Sequence, residues 1–495
     1  MSDYVKMLSL YVVAGALLGV PFVEPSLWLS GLLGVAVFLY ATTLAKTPSA
    51  VLWGGFIAWT TKSLIALSWG WSIWPLDSFL FALPLSGFWG IALYWISGAL
   101  FLGLGGAFVA GWLWYFLVNK KFETSALLAL PFLWLLGEVL AAQIFSVMTV
   151  GPNGFYTAAF SYGQIGYILA EHNLLLLVSK FGGLYALSIT AVALGVVVWL
   201  VYTRFQQRCP ITVVGTLLIL LSISGAVSIA GTSTTTGGRV AVVDTEFNNQ
   251  TIDDKDEILL RTILLGEAMD AALATGAEYV VLPEGARFND ANLSAESAYR
   301  LFQFQSGDVP AIVIDSGRAK LTKNTTALRA TIYDGVSKQA WQVDKQYLVP
   351  QGEYVPQYFG ALFSFFVDKE MIARLSTAFD YVPGPYNNQT VLPDTLPRIL
   401  FCHSSADPVG VRKLLTDGAQ VPFIAHPISH AWFGGSQILK DQQTAMLRIQ
   451  ALWNDVAIIS AGNMTKGELY DKDGTVRLPV VVANGEGWTV SVIDL

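Results

Sequence analysis

Cysteine is nearly absent: Cys209 and Cys402 are the only two in 495 residues. At most one disulfide can form, and no multi-thiolate metal site is available. Histidine is as sparse, with four residues, and neither a metal nor an organic cofactor is expected. There is no G-x-S-x-G elbow, which speaks against serine-triad chemistry. Charge is scarce, at 13% of residues against 54% hydrophobic, and the net charge of −7 leaves no basic surplus to neutralise phosphates. Nucleic acid is therefore excluded as a partner.

The scarcity of charge is uneven. Residues 1–238 carry eight Lys/Arg and six Asp/Glu, and the rest carry 21 and 30, so the halves stand at +2 and −9. Two different modules share the chain: a transmembrane domain at 1–231, a small-residue linker at 232–238, and a water-soluble domain at 239–495. A spanning helix needs about 20 mostly apolar residues. Such runs lie at 7–23, 26–45, 51–74, 88–118, 125–145, 181–202 and 211–230, about seven spans. If they alternate, Lys6, Lys46, Lys120, Lys121, Arg204 and Arg208 share one side, and only Lys180 faces the other. The positive-inside bias then puts the N-terminus in the cytoplasm and the acidic half on the extracytoplasmic face. Lys62 and Glu138 fall at similar depth in the third and fifth spans. They are either an ion pair or two charges facing a wet bundle interior. The stretch 161–180 is too polar to span and reads either as an interfacial segment or as a buried loop.

Beyond residue 238, short β-rich runs alternate with longer helical patterns. "RVAVVD", "AEYVVLPEG", "AIVIDSG", "ALRATIYD", "KQAWQVD", "RILFCHSS", "VPFIAHPIS", "AIISAGN" and "WTVSVIDL" read as strands. "DEILLRTILLGEAMDAALATG", "DPVGVRKLLTDGAQ" and "QQTAMLRIQALWND" read as helices. The pattern is that of an α/β domain with helices covering sheet faces.

Three segments set a reactive group just after an apolar strand. In "YVVLPEGARF", Pro283 ends the strand and pushes Glu284 to the sheet edge; alone, Glu284 is equally a solvated turn carboxylate. In "DKQYLVPQGEYVP", Lys345 either snorkels to the surface or faces an anion. Cys402 is a packing residue, half of a disulfide, or a nucleophile. The topology puts Cys209 at the cytoplasmic edge of the last span, which removes the disulfide. Taken together the three are more specific: a thiol needs a base, and a fixed cation stabilises an oxyanion.

The order "LPE", "DKQYLVPQGEYVP", "FC", "AWFGGSQ" resembles the nitrilase (carbon–nitrogen hydrolase) superfamily with its Glu-Lys-Cys triad. The forms "KQYLVPQGEYVP" and "AWFGGS", with "ALPFLWLLGEVL", "YGQIGYILAEHN" and "FGGLYALS" in the membrane half, resemble its membrane-embedded apolipoprotein N-acyltransferases. The resemblance covers essentially the whole chain. It implies a polytopic α-helical membrane domain followed by an αββα sandwich. Carried over by position, Glu284 is general base, Lys345 oxyanion stabiliser, Cys402 nucleophile and Glu353 the second glutamate. The implied reaction moves a fatty acyl group from a phospholipid, through a Cys402 thioester, to the amine of a lipoprotein in the bacterial inner membrane. His403, Ser404, His430, Trp432 and Phe433 are then substrate-binding. The chain departs from the family where Cys402-His403-Ser404 stands for Cys-Tyr-Glu, and where Ser429-His430 stands for Asn-Asp before "AWF". The family also typically carries a further transmembrane helix after its catalytic domain, whereas this sequence stops at "WTVSVIDL". The departures keep two other readings open: an amidase or acyltransferase for another envelope protein, such as a pilin or conjugation protein, and a non-catalytic assembly factor.

Overall fold

The computed structural model describes residues 3–75, 84–151, 160–205, 238–247, 255–365, 380–384, 391–415 and 418–495, with 370 and 389 singly. The first half is a helical bundle: α1 (Asp3–Gly19), α2 (Trp28–Leu44), α3 (Pro48–Ala66), α4 (Pro84–Trp114), α5 (Glu123–Met148) and α6 (Gly183–Phe205). Among the described residues, α1, α2, α4, α5 and α6 belong to stretches long and apolar enough to cross a membrane. The chain is a multi-pass membrane protein. The third expected span is shorter than read from the sequence: α3 stops at Ala66, and Ser68–Ile73 follows as a 3-10 segment. The expected span at 211–230, Cys209, and all of the 232–238 linker but Gly238 lie outside the described residues.

The bundle packs through small residues as well as large ones. Gly55 on α3 and Gly106 on α4 meet back to back. A Cβ on either would overlap the other's carbonyl oxygen, and one on Gly106 would also overlap Trp59. With no hydrophobic drive between helices in lipid, such close backbone approach supplies the van der Waals contact that holds them.

The second half is a four-layer sandwich. Strands β1 (Arg239–Thr245), β2 (Tyr279–Val281), β3 (Ile312–Thr322), β4 (Thr325–Asp334) and β5 (Gln339–Asp344) pair in that order, and β10 (Trp488–Asp494) lies antiparallel on the other side of β1. A second run joins β6 (Arg398–Ile399), β7 (Ile424–Ser429), β8 (Ile458–Asn463) and β9 (Leu469–Tyr470). The two runs are stitched where Thr245 pairs with Asn463.

Alternation along the strands sorts the core into layers. Val240, Val242, Val281, Ile314 and Ile332 meet Ile399, Phe401, Ala425, Ile459 and Ala461 between the sheets. The opposite faces of β1 to β3, with Ala241, Val243, Val280 and Val313, carry α7 (Lys255–Ala274) and α8 (Ala295–Ser306). On the far side, Ile424, Ile458 and Tyr470 pack on Leu447 and Ala451 of α10 (Gln437–Asn454). This is an αββα sandwich.

Helix α10 joins the halves. One side covers the sheet, while Leu439, Ala445, Met446, Ile449 and Leu452 belong to the same apolar core as the membrane helices. Gln442 on α10 donates to Phe22 O and Ala66 O at the ends of bundle elements. Tyr354 Oη donates to Thr149 O at 2.6 Å, and Gln357, which opens α9 (Gln357–Phe363), donates its N–H to Val150 O. The sandwich is therefore seated on one end of the bundle.

Candidate active site

Glu284 follows β2 in a loop clamped from β3. The Asp315 carboxylate accepts the N–H groups of Phe288, Asn289 and Ser316, and Ser316 Oγ accepts from Gly285 N at 2.9 Å. Gly285 and Arg287 turn through positive φ (75° and 60°), which lets the loop fold back over its strand. Buried, hydrogen-bonded Asp315 is pushed up to about 6; its burial outweighs the four backbone donors that favour the carboxylate.

Lys345 comes immediately after β5 and extends that strand's pairing, its N–H donating to Leu328 O at 2.7 Å. The side chain is 1% exposed. Its ammonium stands 2.8 Å from Glu284 Oε1 and 2.8 Å from Glu353 Oε1. Glu353 comes back to it through a tight turn, with Gln351 at φ 63° and Val349 N–H donating to Glu353 Oε2 at 2.7 Å. Burial works against the charged lysine, but Glu284, Glu353 and Cys402 more than offset it and hold Lys345 well above its ordinary value. The snorkelling alternative is thereby removed, and so is a solvated Glu284.

Cys402 follows its strand, as read from the sequence, but that strand is short. β6 is only two residues long; Leu400 N–H still bonds Ala425 O, and the chain then turns into a 3-10 segment, Cys402–Ala406. The reading of "RILFCHSS" as one strand is corrected here: sheet pairing ends after Leu400 and the backbone wraps. Of the helix read over 407–420, the described residues show an α-helix at Gly410–Leu414. Cys402 is free. Its thiol lies within electrostatic reach of the Glu284 carboxyl, so the turn that carries Cys402 faces the Glu284–Lys345–Glu353 cluster. Burial, and then the Glu284 charge, push the thiol up to about 12, against the pull of Lys345. Burial also raises Glu284, with Glu353 adding to it and Lys345 opposing. A thiol raised this far rests protonated, next to a carboxyl group and a fixed ammonium.

Gln443, on α10, was not singled out by the sequence. Its side-chain nitrogen donates to Cys402 O (3.1 Å) and Ser405 Oγ (3.0 Å), while its Oε1 lies 2.8 Å from His430 Nε2. An amide oxygen only accepts, so this network assigns the proton to His430 Nε2. His430 is buried and lowered by burial, as is His403, pushed down to about 3 by burial and by Lys345. Both are neutral at ordinary pH. Ser404 is buried beside Tyr347 and Lys413 in a small cavity under the turn. Trp432 is 41% exposed, and the Phe433 ring packs edge-on against Trp69 of the bundle, centroids 5.3 Å apart. Among the residues marked in the sequence, Glu284, Lys345, Glu353 and Cys402 thus form one cluster, and His403 adjoins it. His430 reaches Cys402 through Gln443, and Phe433 faces the membrane half.

Lys62 and Glu138 make no such contact. Glu138 Oε1 accepts from Ile165 N (2.7 Å) and Oε2 from Ser188 Oγ (2.8 Å), while the Lys62 ammonium lies over the Trp59 ring, 4.2 Å from its centroid. Of the two readings left open, the direct ion pair is not made: both charges border one small cavity, and the carboxylate is engaged by a loop.

The chain is 25% identical over 486 residues to an apolipoprotein N-acyltransferase of Prochlorococcus marinus, covering 93% of this chain and 87% of that protein. The chain resembles the apolipoprotein N-acyltransferases. No family model matches it. Solved structures similar to it include an amidase from Nesterenkonia sp. (15% identity, 54% of this chain, 94% of that one, TM-score 0.33). A variant of the Nesterenkonia AN1 amidase from the nitrilase superfamily is another (14% identity, 52% and 90%, TM-score 0.33). The likeness to the N-acyltransferase spans both the bundle and the sandwich, so it includes the junction at which Cys402 lies.

Proposed function

We propose that this protein is a membrane N-acyltransferase with Cys402 as nucleophile. It transfers a fatty acyl group from a phospholipid to the N-terminal amine of a lipoprotein. The observation that carries the reading is the Glu284–Lys345–Glu353 cluster, Lys345 standing 2.8 Å from each carboxylate, set beside a protonated thiol at the end of a lipid-soluble bundle. The name of its Prochlorococcus relative favours the same reading.

The Cys402 sulfur attacks the phospholipid ester carbonyl while Glu284 takes the thiol proton. Lys345 faces the developing oxyanion, its ammonium held in place by Glu353. Collapse breaks the ester C–O bond, Glu284 returns the proton to the departing lysophospholipid oxygen, and the acyl group stays on sulfur. The lipoprotein amine then attacks the thioester and gives a proton to Glu284, which returns it to the leaving Cys402 sulfur. Both substrates reside in the bilayer, which accounts for the bundle. In this reading the chain divides into a membrane domain (1–231), a linker (232–238) and a catalytic domain (239–495) on the periplasmic face of the bacterial inner membrane. Trp432, Phe433 and His403 border the substrate path, with His430 and Ser404 behind them.

The test is intact-mass measurement after incubation with phospholipid alone. An acyl adduct on the wild type, absent from Cys402→Ala and discharged by a diacylglyceryl peptide, is the expected result. An adduct that the peptide leaves in place would redirect the acceptor to another envelope protein. Absence of any adduct overturns phospholipid as donor. A cellular phenotype that Cys402→Ala leaves undiminished would leave the assembly-factor reading standing.

A further inference from the structure

We infer that Glu138, a carboxylate in the membrane bundle, is a positioning residue for the Cys402 turn and acts through the buried loop 161–169. The inference rests on the reading of Cys402 as nucleophile, and it adds a controlling element from the other half of the chain. A carboxylate 2% exposed inside an apolar bundle is costly unless its oxygens are hydrogen-bonded. Glu138 has Lys62 near it, yet both of its oxygens are engaged elsewhere, by Ile165 N–H and by Ser188 Oγ. Ser188 Oγ also accepts from Gly166 N at 3.2 Å. The pair thus holds two successive N–H groups at the start of the Ile165–Leu169 3-10 segment, donors with no partner inside that segment.

The far end of the same loop reaches the nucleophile. Ser161 is fully buried, and its hydroxyl donates to Ala406 O at 2.6 Å. Tyr167 Oη lies 2.6 Å from Ser161 Oγ; since Ser161 donates to Ala406, Tyr167 donates to Ser161. Ala406 ends the 3-10 turn that Cys402 begins. The start of that turn is held from within the sandwich by Gln443 and Ser405 on Cys402 O. Its end is therefore pinned by a loop whose other end is fixed on Glu138. A shift of about 1 Å in a reacting group costs on the order of a hundredfold in rate, so slack in this loop should appear as lost thiol reactivity.

Alkylation of Cys402 by iodoacetamide tests this in the full chain in detergent, on a Cys209→Ser background so that one thiol is read. It needs no lipid donor, so a failure of the acyl-transfer reading and a failure of this inference are told apart. Glu138→Ala is expected to slow alkylation about tenfold or more. Glu138→Gln keeps an acceptor for Ile165 N–H and should recover most of the rate. Ser161→Ala should slow alkylation too, and the double variant with Glu138→Ala should be no slower than the slower single one, because both cut one path. A wild-type rate in Glu138→Ala, or single effects that multiply, overturns the inference. If Glu138→Ala does not fold, Ser188→Ala carries the test: about threefold slowing supports the path, and an unchanged rate overturns it.

Discussion

Two lysines, one in each half, are buried to nearly the same degree and live in opposite circumstances. Lys62 in the bundle is 4% exposed and faces a tryptophan ring; Lys345 in the sandwich is 1% exposed and holds two carboxylates at 2.8 Å each. Depth alone therefore says little about a charge's work. What matters is which groups lose their partner when it is removed. Taking Lys345 away leaves Glu284 and Glu353 facing one another without a cation. Taking Lys62 away leaves Glu138 with both of its hydrogen bonds.

The comparison can be broken most directly at the base. In the proposed reaction Glu284 is the general base, and Glu284→Gln should then lower the single-turnover acylation rate by about 10²–10⁴-fold. In the wild type, burial raises Glu284, so the base is ionised only above the ordinary carboxylate value of about 4.3. The rate should climb with pH along a limb displaced upward from there, and Glu284→Gln should flatten it. A limb at the ordinary value would separate Glu284 from the base role.

Lys345→Met comes next, with an expected loss of roughly 3–5 kcal/mol in chemical unfolding, as for other broken buried pairs. The loss should shrink at low pH, where protonation relieves the two facing carboxylates. A smaller effect, about 1–3 kcal/mol, is expected for Gly106→Val, whose side chain would overlap Gly55 O and Trp59. Its readout is thermal unfolding in detergent, and an unshifted midpoint would mean that the α3–α4 contact opens freely. Smallest of all, Lys62→Met should change stability by no more than about 1 kcal/mol, since it breaks no direct ion pair. A loss as large as that of Lys345→Met would erase the contrast between the two regions.

Much of the sandwich was legible because buried strands write themselves as short apolar runs. The pattern Val240-Ala241-Val242-Val243 fills both faces of one central strand. Helix α8 was missed because its apolar stripe is thin, only Ala298, Tyr299 and Phe302 being buried, although Ser294 caps it by accepting Ser297 N. The strand through Cys402 was over-read, since "RILF" looks the same whether pairing stops at Leu400 or continues. Gln443 gave no signal at all. A glutamine in an amphipathic helix is ordinary until the fold places His430 on one side of its amide and Cys402 on the other.

The sequence by itself determined the division into a lipid-soluble half and an acidic α/β half, because solvent preference is a property of local composition. It also marked Glu284, Lys345 and Cys402, in that order, which the fold brings together. Only the tertiary structure decided that Lys345 bridges two carboxylates and Lys62 none, and that a loop of the membrane half hydrogen-bonds the turn that begins at Cys402. Those outcomes depend on groups hundreds of positions apart, such as Ser161 and Ala406, and the energy of a buried charge or carbonyl is set by the partner within 3 Å rather than by its neighbours in the chain.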